Sequence, residues 1–202
     1  LARQIAEWRP DGLLRRLEHG IPPRKRQALE TMMERHVHCP ATSSMGRLFD
    51  AVAFWCGFDG AAGCEGHAAM VLESWAASLP EDGPEGDSYE WVMHEEGGLL
   101  ELDWRPVLKA LNDDLLAGVS RCRIARKFHE SLVNLVFDVA ERFSQDRLVL
   151  GGGCFQNAFL LEGLMGMAQS RACVLSLPQR VPCNDGGISL GQAAAAVRQW
   201  KG

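Results

Sequence analysis

Arg147-Leu148-Val149-Leu150-Gly151-Gly152-Gly153-Cys154-Phe155-Gln156-Asn157 decides the fold class of this 202-residue chain. A short apolar run that ends in three glycines reads as a buried strand entering a tight turn, and the spacing over residues 155–169 predicts a helix behind it. Residues 172–177 predict a second short strand. Beyond Pro178 and Pro182, a second polar turn, Asn184-Asp185-Gly186-Gly187, opens a helix expected to reach Trp200. Strand, helix, strand, helix in this order predicts an α/β layer with parallel strands over residues 146–202.

Working outward, residues 1–145 read as mainly helical. Pro10-Asp11-Gly12, Gly20 and Pro22-Pro23 break the N-terminal helical pieces, and a helix is expected over 24–36. The polar loop 40–44 carries N-cap candidates for the helix that begins at Met45. On that helix Leu48, Phe49, Val52 and Trp55 share one apolar face, and Asp50 falls off it. Residues 57–63 read as a loop, 65–79 and 104–116 as helices. The acidic segment 80–98 reads as a loop holding at most one edge strand near 89–93. Ile124, Phe128, Leu132, Leu135, Val136, Val139 and Phe143 mark a long amphipathic helix.

Hydrophobic residues make up 47% and charged residues 23%, which excludes a wholly disordered chain. The formal charge of −5 lacks the footprint of a nucleic-acid binder. The run Arg24-Lys25-Arg26 reads as a solvated helix start. No window approaches the roughly 18 apolar residues of a membrane span. The seven cysteines include no C-x2-C pair and read as free thiols in a reducing cytoplasm. Leu1 in place of an initiator methionine reads as a fragment of a longer chain.

The two glycine turns carry the chemistry. Without Cβ atoms, Gly151-Gly152-Gly153 serve either a tight turn or a close approach to a ligand, and a following helix start suits phosphate. No Lys-Ser/Thr follows, so this is not a P-loop, and the spacing is not that of a dinucleotide fingerprint. Asn157 adds an amide. In the second turn Asn184 or Asp185 reads as an N-cap, or Asp185 as a carboxylate reaching a cleft to hold metal or position phosphate. In a parallel sheet both turns open at the carboxyl edge, where ligands bind. Asp50 and Glu65 are carboxylates near loop ends, read either as surface residues or as hydroxyl-binding groups. His36, His38 and Cys39 read as surface residues rather than a metal cluster. Cys122 and His129 read as structural, and His67 as a contact left open.

Four ordered blocks, residues 43–53, Cys64-Glu65-Gly66-His67-Ala68-Ala69-Met70, residues 151–157 and residues 182–192, resemble the HypF carbamoyltransferase family. Lys127-Phe128-His129 resembles that family's Phe-His in a long helix. Cys64 and His67 depart from its usual residues, and no H-H-x-x-H metal motif is present. The resemblance implies that residues 1–202 are a C-terminal lobe of a carbamoyltransferase domain. The implied fold is one α/β lobe, helix-rich and with helical insertions, of an actin/Hsp70/sugar-kinase-like (ribonuclease-H-like) architecture.

What the resemblance implies about activity is ATP-dependent formation of carbamoyl adenylate from carbamoyl phosphate. The carbamoyl group would pass to the C-terminal cysteine of a HypE-like acceptor protein, toward the cyanide ligands of [NiFe]-hydrogenase. Asp50, Glu65, Gly152, Gly153 and Asn157 are the implied nucleotide contacts. Asp185 is the implied ligand of a divalent metal (Mg, Fe or Zn). A natural-product O-carbamoyltransferase and a noncatalytic nucleotide-binding or assembly remnant stand as the alternatives.

Overall fold

The computed structural model describes residues 21–59, 63–79 and 87–200. The breaks expected at Pro10-Asp11-Gly12 and Gly20 lie outside these residues. The chain divides into two compact units, residues 1–128 and 129–202.

In the first unit, helix α1 (Pro23–Glu34) starts on a proline, whose missing N–H costs nothing at a helix's first turn. Helix α2 (Met45–Trp55) is capped by Ser44, whose side chain accepts from the Arg47 amide at 3.4 Å. It buries Phe49, Val52, Ala53 and Trp55, the face that the periodicity marks. Helix α3 (His67–Ala77) packs on α2 and buries Ala68, Leu72 and Ala76. Helix α4 (Arg105–Leu116) adds Val107, Leu108 and Leu111.

The long helix α5 runs from Arg121 to Arg142, starting three residues before the apolar stripe that marks it. Up to Phe128 it belongs to the first unit, where Phe128 meets Phe49 edge to face at 5.2 Å. Arg126 is buried because the end of α3 needs it. Its guanidinium donates to the Ala76 carbonyl at 3.2 Å and to the Leu79 carbonyl, serving oxygens that a helix terminus leaves without partners.

The acidic segment holds more structure than its composition predicts. Strands β1 (Val92–Glu96) and β2 (Leu99–Asp103) form an antiparallel hairpin, with Val92 opposite Asp103 and Glu96 opposite Leu99. Gly97 and Gly98 both take positive φ, 60° and 78°, as a two-residue turn with matching twist requires. The expected single edge strand near 89–93 is thus corrected to a hairpin over 92–103. Its residues are largely exposed, so the inside-outside alternation that betrays a strand is weak here. The Gly-Gly pair was the available signal.

In the second unit, strand β3 (Arg147–Val149) pairs in parallel with β4 (Val174–Ser176), in the register Arg147 to Val174 and Val149 to Ser176. The connecting helix α6 (Ala158–Ser170) buries Leu160, Leu164 and Ala168, one stripe at intervals of four. Gly163 lets α6 approach α5 closely: a Cβ there would lie 2.9 Å from Val133 Cγ2. Helix α7 (Ile188–Trp200) closes the described chain. No helix among the described residues is long and apolar enough to cross a membrane.

Candidate functional site

The second unit brings the two glycine turns together. Gly152 leaves β3 with φ 111° and ψ 158°, a conformation that only glycine adopts readily. Its amide donates to the Cys183 carbonyl at 2.6 Å, tying the first turn to the second. The Asn184 side-chain amide donates to Gln156 Oε1 at 3.2 Å, a second tie between the same segments. Gly152, Gly153, Asn157 and Asp185, dispersed over 34 positions of sequence, therefore sit on one pair of adjoining turns.

The first turn has a built side and an open side. A Cβ placed on Gly151, Gly152 or Gly153 would meet no atom within 4 Å. The second turn is different. A Cβ on Gly187 would lie 2.7 Å from the Pro182 carbonyl oxygen and 3.1 Å from Val181 Cγ1, so that glycine is demanded by the fold itself. Glycines 151–153 have no such steric demand from the protein around them, and an open backbone surface is what a ligand's close approach requires.

The helix expected directly behind the glycines starts later. A short 3-10 turn (Gly153–Gln156) intervenes, and α6 begins at Ala158 with Asn157 as its N-cap. The Asn157 side-chain oxygen accepts from the Leu160 amide at 2.8 Å, and its Nδ2 lies 2.9 Å from His129 Nε2. Asn157 is 8% exposed and His129 is fully buried. His129, read from the sequence as structural, thus contacts a candidate site residue directly. Sequence spacing carries no signal for a pairing across 28 positions.

Asp185 opens the second 3-10 turn (Asp185–Gly187) and is exposed. Among the described residues its carboxylate makes no hydrogen bond or ion pair. Asn184 takes the capping role instead, its Oδ1 accepting from the Gly186 amide at 3.0 Å. The N-cap alternative for Asp185 therefore falls to its neighbour, and the Asp185 carboxylate is left available. Burial pushes the Cys154 thiol above its ordinary range, so the cysteine within the glycine turn is not a ready nucleophile.

Asp50 and Glu65 lie in the first unit. Asp50, on α2, pairs with Arg47 at 2.9 Å, and Glu65 is exposed just before the left-handed Gly66 that caps α3. No hydrogen bond or ion pair joins Asp50 to Glu65 among the described residues. His67 accepts from the Gly63 amide at 3.1 Å and rests edge-on against Phe58, closing the local loop. No group of three His, Cys, Asp or Glu side chains among the described residues could hold a metal ion.

Residues 4–192 match the family described as "Carbamoyltransferase, Kae1-like Domain, second subdomain". The carbamoyltransferase HypF of Synechocystis sp. is 37% identical over 159 residues, covering 79% of this chain and 20% of that protein. A carbamoyltransferase HypF homolog of Cupriavidus necator is 36% identical over 181 residues, covering 86% of this chain and 45% of that protein. Among solved structures, full-length HypF in its phosphate- and nucleotide-bound form superposes with a TM-score of 0.78 at 32% identity, covering 93% of this chain and 29% of that one. HypF of T. kodakarensis, at 23% identity and a TM-score of 0.62, shares the fold. The chain spans between a fifth and under half of the length of these curated relatives.

Proposed function

The chain belongs to the HypF carbamoyltransferase family, as its second Kae1-like subdomain, and we propose that it supplies the nucleotide-facing and metal-facing wall of an ATP-dependent carbamoyltransferase. The observation that carries this reading is the open glycine turn held beside an unengaged carboxylate at the carboxyl end of a parallel strand pair. The similar structure at 32% identity belongs to a protein in a phosphate- and nucleotide-bound form, which supports a nucleotide-binding role for this family.

In this reading Gly152 and Gly153 present backbone to the phosphates; Asn157, expected as a nucleotide contact, has both ends of its amide engaged within the protein and holds the turn's shape instead. Asp50 and Glu65 serve the ribose or base side of the nucleotide. Asp185 would be this chain's contribution to holding a divalent metal, together with ligands beyond the described residues, and that metal would supply neutralisation of phosphate charge and polarisation of the carbamoyl carbonyl. The lobe is one half of an actin/Hsp70/sugar-kinase-like domain, with residues 146–202 as its nucleotide-binding and metal-binding part.

The reaction proposed for the whole protein is the one the family resemblance implies. Carbamoyl phosphate, ATP and water yield carbamoyl adenylate, with inorganic phosphate and pyrophosphate as the groups released. A C-terminal cysteine of a HypE-like acceptor then attacks the carbamoyl carbon: a C–S bond forms, the mixed-anhydride C–O bond breaks, AMP departs, and the thiol proton passes to a base. Seven free cysteines fit a cytoplasmic protein.

Asp185→Asn, made in the carbamoyl-transferring protein that contains this chain, tests the assignment. Carbamoyl transfer should fall by about 100-fold, the scale on which loss of a preorganised charged group acts. Stability should hold within about 0.5 kcal/mol, because the carboxylate is exposed and unpaired. A variant that transfers at the parent rate refutes the role of Asp185.

A further inference from the structure

His129 sits on α5, fully buried, outside both glycine turns, and nothing in the proposed reaction uses it. Two of its contacts reach the α6 start. The ring meets Phe159 edge to face at 5.4 Å, and its Nε2 lies 2.9 Å from Asn157 Nδ2. Asn157 in turn is the hinge between the glycine turn and α6. Its backbone amide closes the 3-10 turn by donating to the Cys154 carbonyl at 3.2 Å, and its own carbonyl accepts from Leu161 at 3.0 Å.

The protonation of this pair can be assigned by elimination. The Leu160 backbone N–H can only donate, so the Asn157 atom facing it at 2.8 Å is the oxygen. The atom facing His129 is therefore the amide nitrogen, which also can only donate. His129 Nε2 must then accept. An accepting Nε2 requires the tautomer that carries its proton on Nδ1.

We infer that His129 is a positioning residue that, through this single tautomer, locks the Asn157 amide and with it the open face of the glycine turn. The inference rests on the nucleotide-site reading for its consequence but not for its geometry. Asn157 makes two side-chain hydrogen bonds that demand opposite ends of the amide, one to α6 and one to α5. Removal of the acceptor on α5 leaves a buried N–H without a partner, and the amide regains a reason to rotate. Rotation would sacrifice the α6 cap and loosen the 3-10 turn that Asn157 closes. The open face of the glycine turn would then no longer be held in one arrangement for a phosphate.

Three measurements on the 202-residue chain test this. In the wild-type chain the ¹⁵N resonances of His129 should show Nε2 unprotonated and Nδ1 protonated at neutral pH. Asn157→Asp keeps the cap oxygen but places an acceptor against Nε2, so the proton should appear on Nε2. His129→Gln, which can present an acceptor near the place of Nε2, should hold its ATP affinity within about threefold, whereas His129→Phe should bind about tenfold more weakly. A protonated Nε2 in the wild-type chain overturns the inference, as does His129→Phe binding ATP like the wild type. Should the wild-type chain bind no ATP, the nucleotide reading fails, and the two ¹⁵N spectra still decide the role of His129. The same spectra decide it if His129→Phe does not fold.

Discussion

Two glycines of the same site should respond in opposite ways to one added methyl group. At Gly187 the methyl carbon would lie 2.7 Å from the Pro182 carbonyl oxygen. The shortest ordinary C···O contact is about 3.3 Å, so turn and carbonyl must separate by about 0.6 Å. Val181 Cγ1, at 3.1 Å, closes one direction of escape. Overpacking of this kind costs about 1–3 kcal/mol, and for a chain of this size each kcal/mol lowers Tm by about 2–4 °C. At Gly153 the methyl would meet nothing within 4 Å, and the backbone is not in the left-handed region. Gly153→Ala should therefore leave stability within about 0.5 kcal/mol of wild type. Its methyl would nevertheless stand on the open face where a phosphate must come close, and affinity for ATP should fall at least about tenfold. Thermal melts and ATP titrations of the two variants separate the effects. Equal melting of Gly187→Ala and wild type would refute the steric account of the second turn. Undiminished ATP binding by Gly153→Ala would refute the open face as a ligand surface.

Two further outcomes are expected. Asp103 accepts from the Arg105 amide at 3.0 Å and from its guanidinium at 2.6–2.9 Å, and the Arg105 hydrogen bonds hold its carboxyl below the ordinary carboxylate range. A depressed folded-state pKa means the stabilisation is complete above the unfolded value of about 3.9 and is lost as pH falls through the lower folded value. Asp103→Asn should flatten that acid limb in denaturation midpoints measured between pH 2 and 5; an unchanged limb counts against the pairing. Cys56 is buried, which pushes its thiol up to about 12, while Cys64 is exposed. Alkylation at pH 8 followed by mass mapping should label Cys64 and spare Cys56 until the chain unfolds; early labelling of Cys56 would contradict its burial.

How much of this was legible beforehand depended on the range of the interaction involved. The apolar stripe of α2, the Ser44 cap and the parallel pairing of β3 with β4 are local or periodic, and each was readable; the strand before the glycines stands where expected but is not buried, with Arg147 and Val149 exposed. The hairpin was missed because exposed, charged strands do not alternate, although Gly97-Gly98 marked its turn. The start of α6 was placed too early because a glycine turn followed by apolar residues does not distinguish a 3-10 turn from the first turn of a helix. The lesson from Asn184 and Asp185 is similar. Both residue types cap helices, and only the fold shows that Asn184 takes the cap and leaves Asp185 exposed.

By itself, the order of residues determined which segments become helices and strands and that two glycine turns lie at one edge of an α/β layer. Those properties follow from side-chain periodicity and backbone freedom, which act over a few residues. Tertiary structure alone decided which glycines serve the fold and which leave a face open. It also decided that Gly152 is bonded to Cys183, and that the Asn157 amide meets His129 of another helix. Hydrogen bonds and steric contacts across tens of residues depend on positions in space, and the chain acquires those only by folding.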